Sequence, residues 1–185
     1  MKIILVGHPG SQKIVPASKY LTKKYLHGFD ITYLNYKGKI EGWGIYVAGF
    51  LQYLTDETVI FALDDYLIAE PIDRKMYEWA ERDIKRDRYL VKLCHCTHEE
   101  NVEYPVTTQF TLWEREYLIG LLYKTHTPWR FEIEGSKMFD KSFLHRPCIK
   151  YFTNSSLSSR WEGVRLDGLK EEDIKHIKEN GLITG

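Results

Sequence analysis

The sequence predicts a single α/β domain whose mostly parallel central sheet is flanked by helices, and three observations lead there. First, 185 residues are enough for one domain with a sizeable core. Second, strand-like and helix-like stretches alternate through the first third of the chain, the order that produces parallel strands joined by crossovers. Third, Val59-Ile60-Phe61-Ala62-Leu63 is an unbroken apolar run leading straight into Asp64-Asp65. Such a run marks a strand buried on both faces. Burying an isolated charge is very unfavourable, so the two aspartates belong where the strand leaves the sheet. That carboxyl edge is where open α/β sheets bind ligands.

The elements follow in order. Lys2 to Val6 is a short apolar strand ended by Gly7-His8-Pro9-Gly10. These glycines form neither a dinucleotide fingerprint nor a phosphate loop with a following Gly-Lys-Ser/Thr. Pro16 to Leu26 reads as a helix, and Asp30 to Tyr36 alternates like a second strand. After a loop from Gly38 to Gly44, Trp43, Val47, Phe50, Leu51 and Leu54 recur at helical spacing. The central strand ends at Asp64-Asp65, and Pro71 opens the next helix. Its apolar face is expected to be Ile72, Met76, Trp79, Ala80 and Ile84. Tyr89 to Cys96 reads as a fourth strand, Thr107 to Leu112 as a fifth, and Trp113 to Tyr123 as a helix. Thr127 to Ser136 reads as a loop or edge hairpin, bounded by Pro128 and Gly135. Lys150 to Asn154 is a last strand, and Lys170 to Asn180 an exposed, structural helix with acids in its first turn and Gly181 as its cap.

Composition narrows the function classes. Twenty-six basic residues balance twenty-six acidic ones, so no global field favours nucleic acid or an anionic membrane. Hydrophobic residues at 43% and charged residues at 28% describe a globular chain. No apolar run reaches membrane-spanning length, and the first residues carry no leader-like apolar segment. Three cysteines, an odd number, speak for a reducing, cytoplasmic setting. Cys94-His95-Cys96-Thr97-His98 lacks the second cysteine pair of a structural zinc site and reads as small buried residues at a strand end. Thirteen tyrosines and five tryptophans suit stacking on sugars or bases as well as an ordinary core.

Two stretches carry candidate chemistry. Adjacent carboxylates repel, and a divalent cation neutralises them most simply; the alternative for Asp64-Asp65 is a helix cap and its solvated neighbour. Thr127-Pro128-Trp129-Arg130-Phe131-Glu132-Ile133-Glu134-Gly135-Ser136 places Trp129 as a stacking platform and Glu132 as a base. The alternative is a surface hairpin with outward charges, in which Glu132 and Glu134 point the same way.

Together these stretches resemble a family of small bacterial and viral glycosyltransferases with the GT-A fold. The shared pattern is an apolar strand ending in Asp64-Asp65-Tyr66, then Gln109-Phe110-Thr111-Leu112-Trp113, then Pro128-Trp129-Arg130-Phe131-Glu132 followed by Gly135-Ser136, and it spans Lys2 to about Gly181. The resemblance implies a nucleotide-sugar donor held by residues 1–100, an acceptor side in residues 101–185, and a glycan or glycolipid acceptor. It assigns Asp65 to a divalent cation, Mn2+ or Mg2+, and Asp64 to the ribose or a cation-bound water. Gly7, His8, Asn35 and Tyr36 fall beside the nucleotide base. Gln109, Trp113, Trp129 and Arg130 fall on the acceptor side, and Glu132 is the general base. His145 is a candidate third cation ligand. Family members often carry a longer C-terminal lobe, so a partner chain or second copy is expected to complete the acceptor site. A nucleotidyltransferase and a catalytically silent binding module are the alternatives.

Overall fold

The computed structural model describes residues 1–7, 12–86, 89–94, 105–139, 144–153, 166 and 168–183. In chain order its elements are β1 (Lys2–Val6), α1 (Val15–Tyr25), β2 (Asp30–Leu34), a 3-10 turn (Ile40–Gly42), α2 (Trp43–Leu51), β3 (Thr58–Leu63), β4 (Tyr66–Ile68), α3 (Arg74–Ile84), β5 (Leu90–Cys94), β6 (Thr111–Glu114), α4 (Arg115–Thr125), α5 (Pro128–Met138), β7 (Leu144–Ile149), β8 (Tyr151–Thr153) and α6 (Glu171–Glu179). The main sheet has the order β2-β1-β3-β6-β5-β7, and β4 pairs with β8 in a separate antiparallel ribbon. β1 is parallel to β2 and to β3, with Val6 level with Leu34 and Leu63. α2, α4 and α5 pack against one another, while α1 lies against β4 and α3 against β5, β6 and β7. No helix among the described residues is long and apolar enough to cross a membrane.

The sheet is mostly parallel, with β6 running opposite to both neighbours. This strand begins at Thr111, so the strand expected from Thr107 starts later and includes Trp113. The reason lies in residues 107–110, which bridge two strand ends through single hydrogen bonds. Leu63 N donates to Thr108 O at 3.0 Å, and Leu93 N donates to Phe110 O at 2.9 Å. β7 was not legible in the sequence because His145, Arg146 and Pro147 break its apolar pattern. It lies at the sheet edge beside β5, where proline is tolerated.

Two helices differ from expectation. α3 starts at Arg74, not Pro71, because the Asp73 carboxylate caps it by accepting from Met76 N at 3.0 Å. Its buried face is Tyr77, Ala80 and Ile84; Trp79 is 41% exposed under the Lys75 ammonium, 5.5 Å from its ring centre. The segment from Thr127 is not a loop or hairpin but helix α5. Thr127 is its N-cap, with Oγ1 accepting from Arg130 N at 3.2 Å, and Pro128 occupies the first turn, where a missing N–H does no harm. Alternation of apolar and charged residues imitates a strand here. The helix instead buries Phe131 and Gly135 and exposes Trp129 and Ile133.

Phe131 anchors α5. Its ring lies 5.8 Å from Phe61, 5.7 Å from Trp113 and 6.4 Å from Trp43, at tilted or edge-on angles, the geometry aromatic pairs prefer. Helix α6 is anchored differently, by a buried charge. The Asp173 carboxylate accepts from Lys24 Nζ at 2.7 Å, from Tyr20 OH at 3.1 Å and from Tyr25 OH. Burial alone would raise this carboxyl, but the Lys24, Tyr25 and Tyr20 hydrogen bonds outweigh it and hold Asp173 below the ordinary carboxylate range. The far end closes as expected: Gly181, φ 58°, donates to Lys178 O and Leu182 N to Ile177 O, a Schellman cap.

Phe131→Ala is expected to destabilise the fold by about 3–5 kcal/mol, read from the urea midpoint. Asp173→Asn is expected to lose roughly 1–3 kcal/mol. Because Asp173 is held low in the fold, its stabilisation is present above the unfolded carboxylate value near ~4 and is lost as pH falls through the folded value. Urea titrations at neutral pH and below pH ~4 should therefore show the gap between wild type and Asp173→Asn closing on acidification.

Candidate active site

The ends of β2, β1 and β3 are stitched side by side. Gly7 N donates to Leu34 O at 2.8 Å, and Asp64 N donates to Val6 O at 3.1 Å. This brings Gly7, the residues after β2 (Asn35 and Tyr36) and the Asp64-Asp65 turn to one edge. The Asp64 carboxylate lies against the Gly7 backbone; a Cβ at Gly7 would sit 2.8 Å from Asp64 Oδ2 and 3.4 Å from Leu34 O. Only glycine leaves room for that approach. Asp64 and Asp65 are each 5% exposed. Asp64 also faces Tyr33, whose phenol is pushed up by burial first and by the Asp64 charge as well.

Asp65 leads directly into β4, whose first residue, Tyr66, is buried. Burial raises the Tyr66 phenol well above its ordinary value, and the charges of Asp65 and Glu132 raise it further. Two carboxylates from separate parts of the chain therefore flank one phenol. The link to Glu132 runs through Thr108. Tyr66 OH and Thr108 Oγ1 are 3.3 Å apart, and Thr108 Oγ1 donates to Glu132 Oε1 at 2.7 Å. Thr108 N at 2.8 Å and Thr107 Oγ1 at 3.1 Å donate to the same oxygen. Helix α5 is clamped to this segment by its next turn. Ser136 Oγ donates to Val106 O and accepts from Val106 N, both at 3.1 Å, and Gly135 packs so near Val106 that a Cβ would lie 2.9 Å from Cγ1.

Helical geometry separates the two glutamates that an extended segment leaves equivalent. Residues two apart on a helix point roughly 200° from each other. Glu132 turns to the strand ends, while Glu134 faces outward to Arg130 Nε at 3.6 Å. Arg130 and Trp129 lie on the exposed side of α5, Trp129 with 40% of its surface open. Gln109 is half-buried and accepts from Cys94 Sγ at 3.2 Å. Trp113 is fully buried in the aromatic cluster, so its indole presents no face to a ligand. Tyr36 donates to Lys39 O and its ring tilts against Tyr46 at 5.1 Å. Asn35 is exposed, and His8 lies outside the described residues. Thr107, Thr108 and Tyr66 gained no role from the sequence; paired hydroxyls just before Gln109 were the available signal.

Asp64 and Asp65 offer hard oxygen donors, but among the described residues no group of three or more His, Cys, Asp or Glu could hold a metal ion. His145 does not complete the set. It lies on β7, with β6 and β5 between it and β3, roughly 14 Å away at ordinary strand spacing, and its Nε2 pairs with Cys94 O. A small divalent cation held by one or two carboxylates takes its remaining oxygens from phosphate and water. The aspartate pair fits a cation that arrives with a phosphate-bearing ligand.

No family model and no curated protein sequence matches the chain. Among solved structures, A197 from STIV matches with a TM-score of 0.56 at 14% identity, over 82% of this chain and 84% of that one. A cytidylyltransferase from Leptospira borgpetersenii matches with a TM-score of 0.50 at 10% identity, over 98% of this chain and 95% of that one. The glycosyltransferase GlyE of Streptococcus pneumoniae matches with a TM-score of 0.50 at 9% identity, over 100% of this chain and 64% of that one. At such identities the likeness is one of fold. The chain has the Rossmann-like GT-A fold of nucleotide-diphospho-sugar transferases, a scaffold on which both glycosyl and nucleotidyl transfer are built.

Proposed function

We propose that this protein is a glycosyltransferase moving a hexose from a nucleoside-diphosphate donor to a glycan or glycolipid hydroxyl, with a divalent cation as cofactor. The observation that carries the reading is the convergence of Glu132, on α5, with the strand end bearing Asp64 and Asp65, the Tyr66 phenol and Thr108 hydroxyl lying between them. Direct displacement at an anomeric carbon needs both elements, a place for the diphosphate and a proton acceptor on the other side. The shared GT-A fold supports a nucleotide-sugar ligand. The odd number of cysteines, three, supports a reducing, cytoplasmic setting.

In this reading Asp65 holds the cation and Asp64 holds the ribose or a cation-bound water. Bound Mg2+ or Mn2+ supplies positive charge against the departing diphosphate. Gly7, with His8, Asn35 and Tyr36, borders the nucleotide, and the missing side chain at Gly7 leaves the Asp64 carboxylate room beside it. Glu132 accepts the proton of the acceptor hydroxyl as that oxygen bonds to the anomeric carbon. The bond from that carbon to the diphosphate breaks, its electron pair leaving with the phosphate oxygen. Trp129, one turn before Glu132 on α5, stacks on an apolar sugar face, with Gln109 on the acceptor side, while Arg130 pairs with Glu134 on the other side of the helix. Nucleotidyl transfer is the second reading, supported by the near-full-length likeness to the cytidylyltransferase. There the attacking phosphate oxygen brings no proton, so Glu132 would have no base to be.

Calorimetry with UDP, GDP and dTDP, each with and without Mn2+, should reveal one nucleotide bound in a cation-dependent way. Binding of none of the three would leave a silent module, and pyrophosphate release from a nucleoside triphosphate would establish the second reading. Asp65→Ala should abolish cation-dependent nucleotide binding in a folded protein; unfolding at unchanged affinity would make the pair a structural cap.

Glu132→Gln keeps the size and hydrogen-bond acceptance that Thr107 and Thr108 require. It should preserve donor binding and lose roughly 10²–10⁴-fold in turnover. Near-normal transfer by Glu132→Gln, with Glu134→Gln or Asp140→Asn inactive instead, would move the role to that neighbour; unimpaired transfer by all three would point to a retaining route.

A further inference from the structure

We propose that Thr108, assisted by Thr107, is a positioning residue that selects which oxygen of Glu132 meets the acceptor. The inference rests on the transferase reading above. A carboxylate oxygen offers about two lone-pair sites, and Glu132 Oε1 receives three donors: Thr107 Oγ1 at 3.1 Å, Thr108 N at 2.8 Å and Thr108 Oγ1 at 2.7 Å. Oε1 is saturated. Oε2 is therefore the oxygen left to take a proton from a substrate hydroxyl.

The hydrogens of the network all run one way. A threonine hydroxyl has a single hydrogen. Thr108 directs its own to Glu132, so across the 3.3 Å gap to Tyr66 the phenol is the donor and Thr108 the acceptor. Thr107 directs its hydrogen to Glu132 and accepts from Gln109 N at 3.2 Å. Tyr66 is the residue after Asp65, and its main-chain oxygen accepts from Ser18 Oγ at 3.2 Å. A directed path thus joins the aspartate turn to the glutamate on α5. Both threonines are buried, so water does not readily substitute for their hydroxyls. The path holds the spacing between the donor side of the site and its base.

The experiment compares Thr108→Val, which keeps the shape and removes the hydroxyl, with Thr108→Ser, which keeps the hydroxyl, once the donor is identified by calorimetry. Misplacing a reacting group by about 1 Å costs on the order of 10²-fold, so Thr108→Val is expected to lower kcat by about 10–100-fold with the donor KM unchanged, and Thr108→Ser to restore most of it. A merely structural threonine would give a lower melting temperature with kcat intact. Transfer by Thr108→Val within about twofold of wild type, against the 10–100-fold expectation, or equal losses in the Val and Ser variants, would overturn the assignment. Absence of transfer by the wild-type protein would instead overturn the transferase reading. The clamp is then judged by hydrogen exchange at the Thr108 amide: loss of protection in Glu132→Ala supports it, and retained protection overturns it.

Discussion

The phase of helix α5 is the constraint on which the candidate site depends. Phe131 is wedged among Trp43, Phe61 and Trp113, and a buried aromatic ring of this size is worth several kcal/mol to the fold. Once Phe131 faces inward, the next residue has one place to go. Glu132 turns to the segment 107–108 at the end of β3, and Trp129 and Ile133, one turn apart, are left outside. Thr127 and Pro128 start the helix, Gly135 allows it to come close to Val106, and Ser136 locks that approach with two hydrogen bonds. Packing thus places a charged group that has little packing energy of its own.

The carboxyl edge of the sheet gathers acids that a folded chain would ordinarily keep apart. Asp64 and Asp65 are buried beside each other, and Glu132 faces the same phenol as Asp65. Like charges so placed disfavour one another; around Glu132 the chain supplies two hydroxyls and one backbone N–H, and at Gly7 it leaves room for the Asp64 carboxylate. In α6 another buried acid, Asp173, is held by a lysine and two tyrosines, and it serves as a clasp.

Local signals made much of the first half of the fold legible. β1, α1, β2, α2 and β3 lie within a few residues of where apolar runs and helical spacing put them, because fully buried strands are apolar throughout and their neighbours are punctuated by Gly, Pro and acids. The position of Asp64-Asp65 at a strand end followed from the same reasoning, since charge is excluded from the strand itself. The cap of α6 at Gly181 was equally local. Mixed segments were not legible in this way. The alternation from Trp129 to Glu134 satisfies a strand as well as it satisfies a helix with one buried residue. β7 carries a histidine, an arginine and a proline that only an edge position tolerates.

What the sequence by itself determined was the order of the N-terminal elements and the presence of two acidic stretches with aromatic company. Tertiary structure decided the rest, for a physical reason that each case repeats: the deciding partner is distant in the chain. β6 runs antiparallel because it inserts between β3 and β5, and Trp113 is core because it lies against Phe131. The face of α3 is set by Tyr77 and not Trp79. Glu132 is distinguished from Glu134 only by Phe131 beneath it and by two threonines twenty-four and twenty-five positions earlier. A pattern read along the chain contains the residues of such contacts but not their meeting.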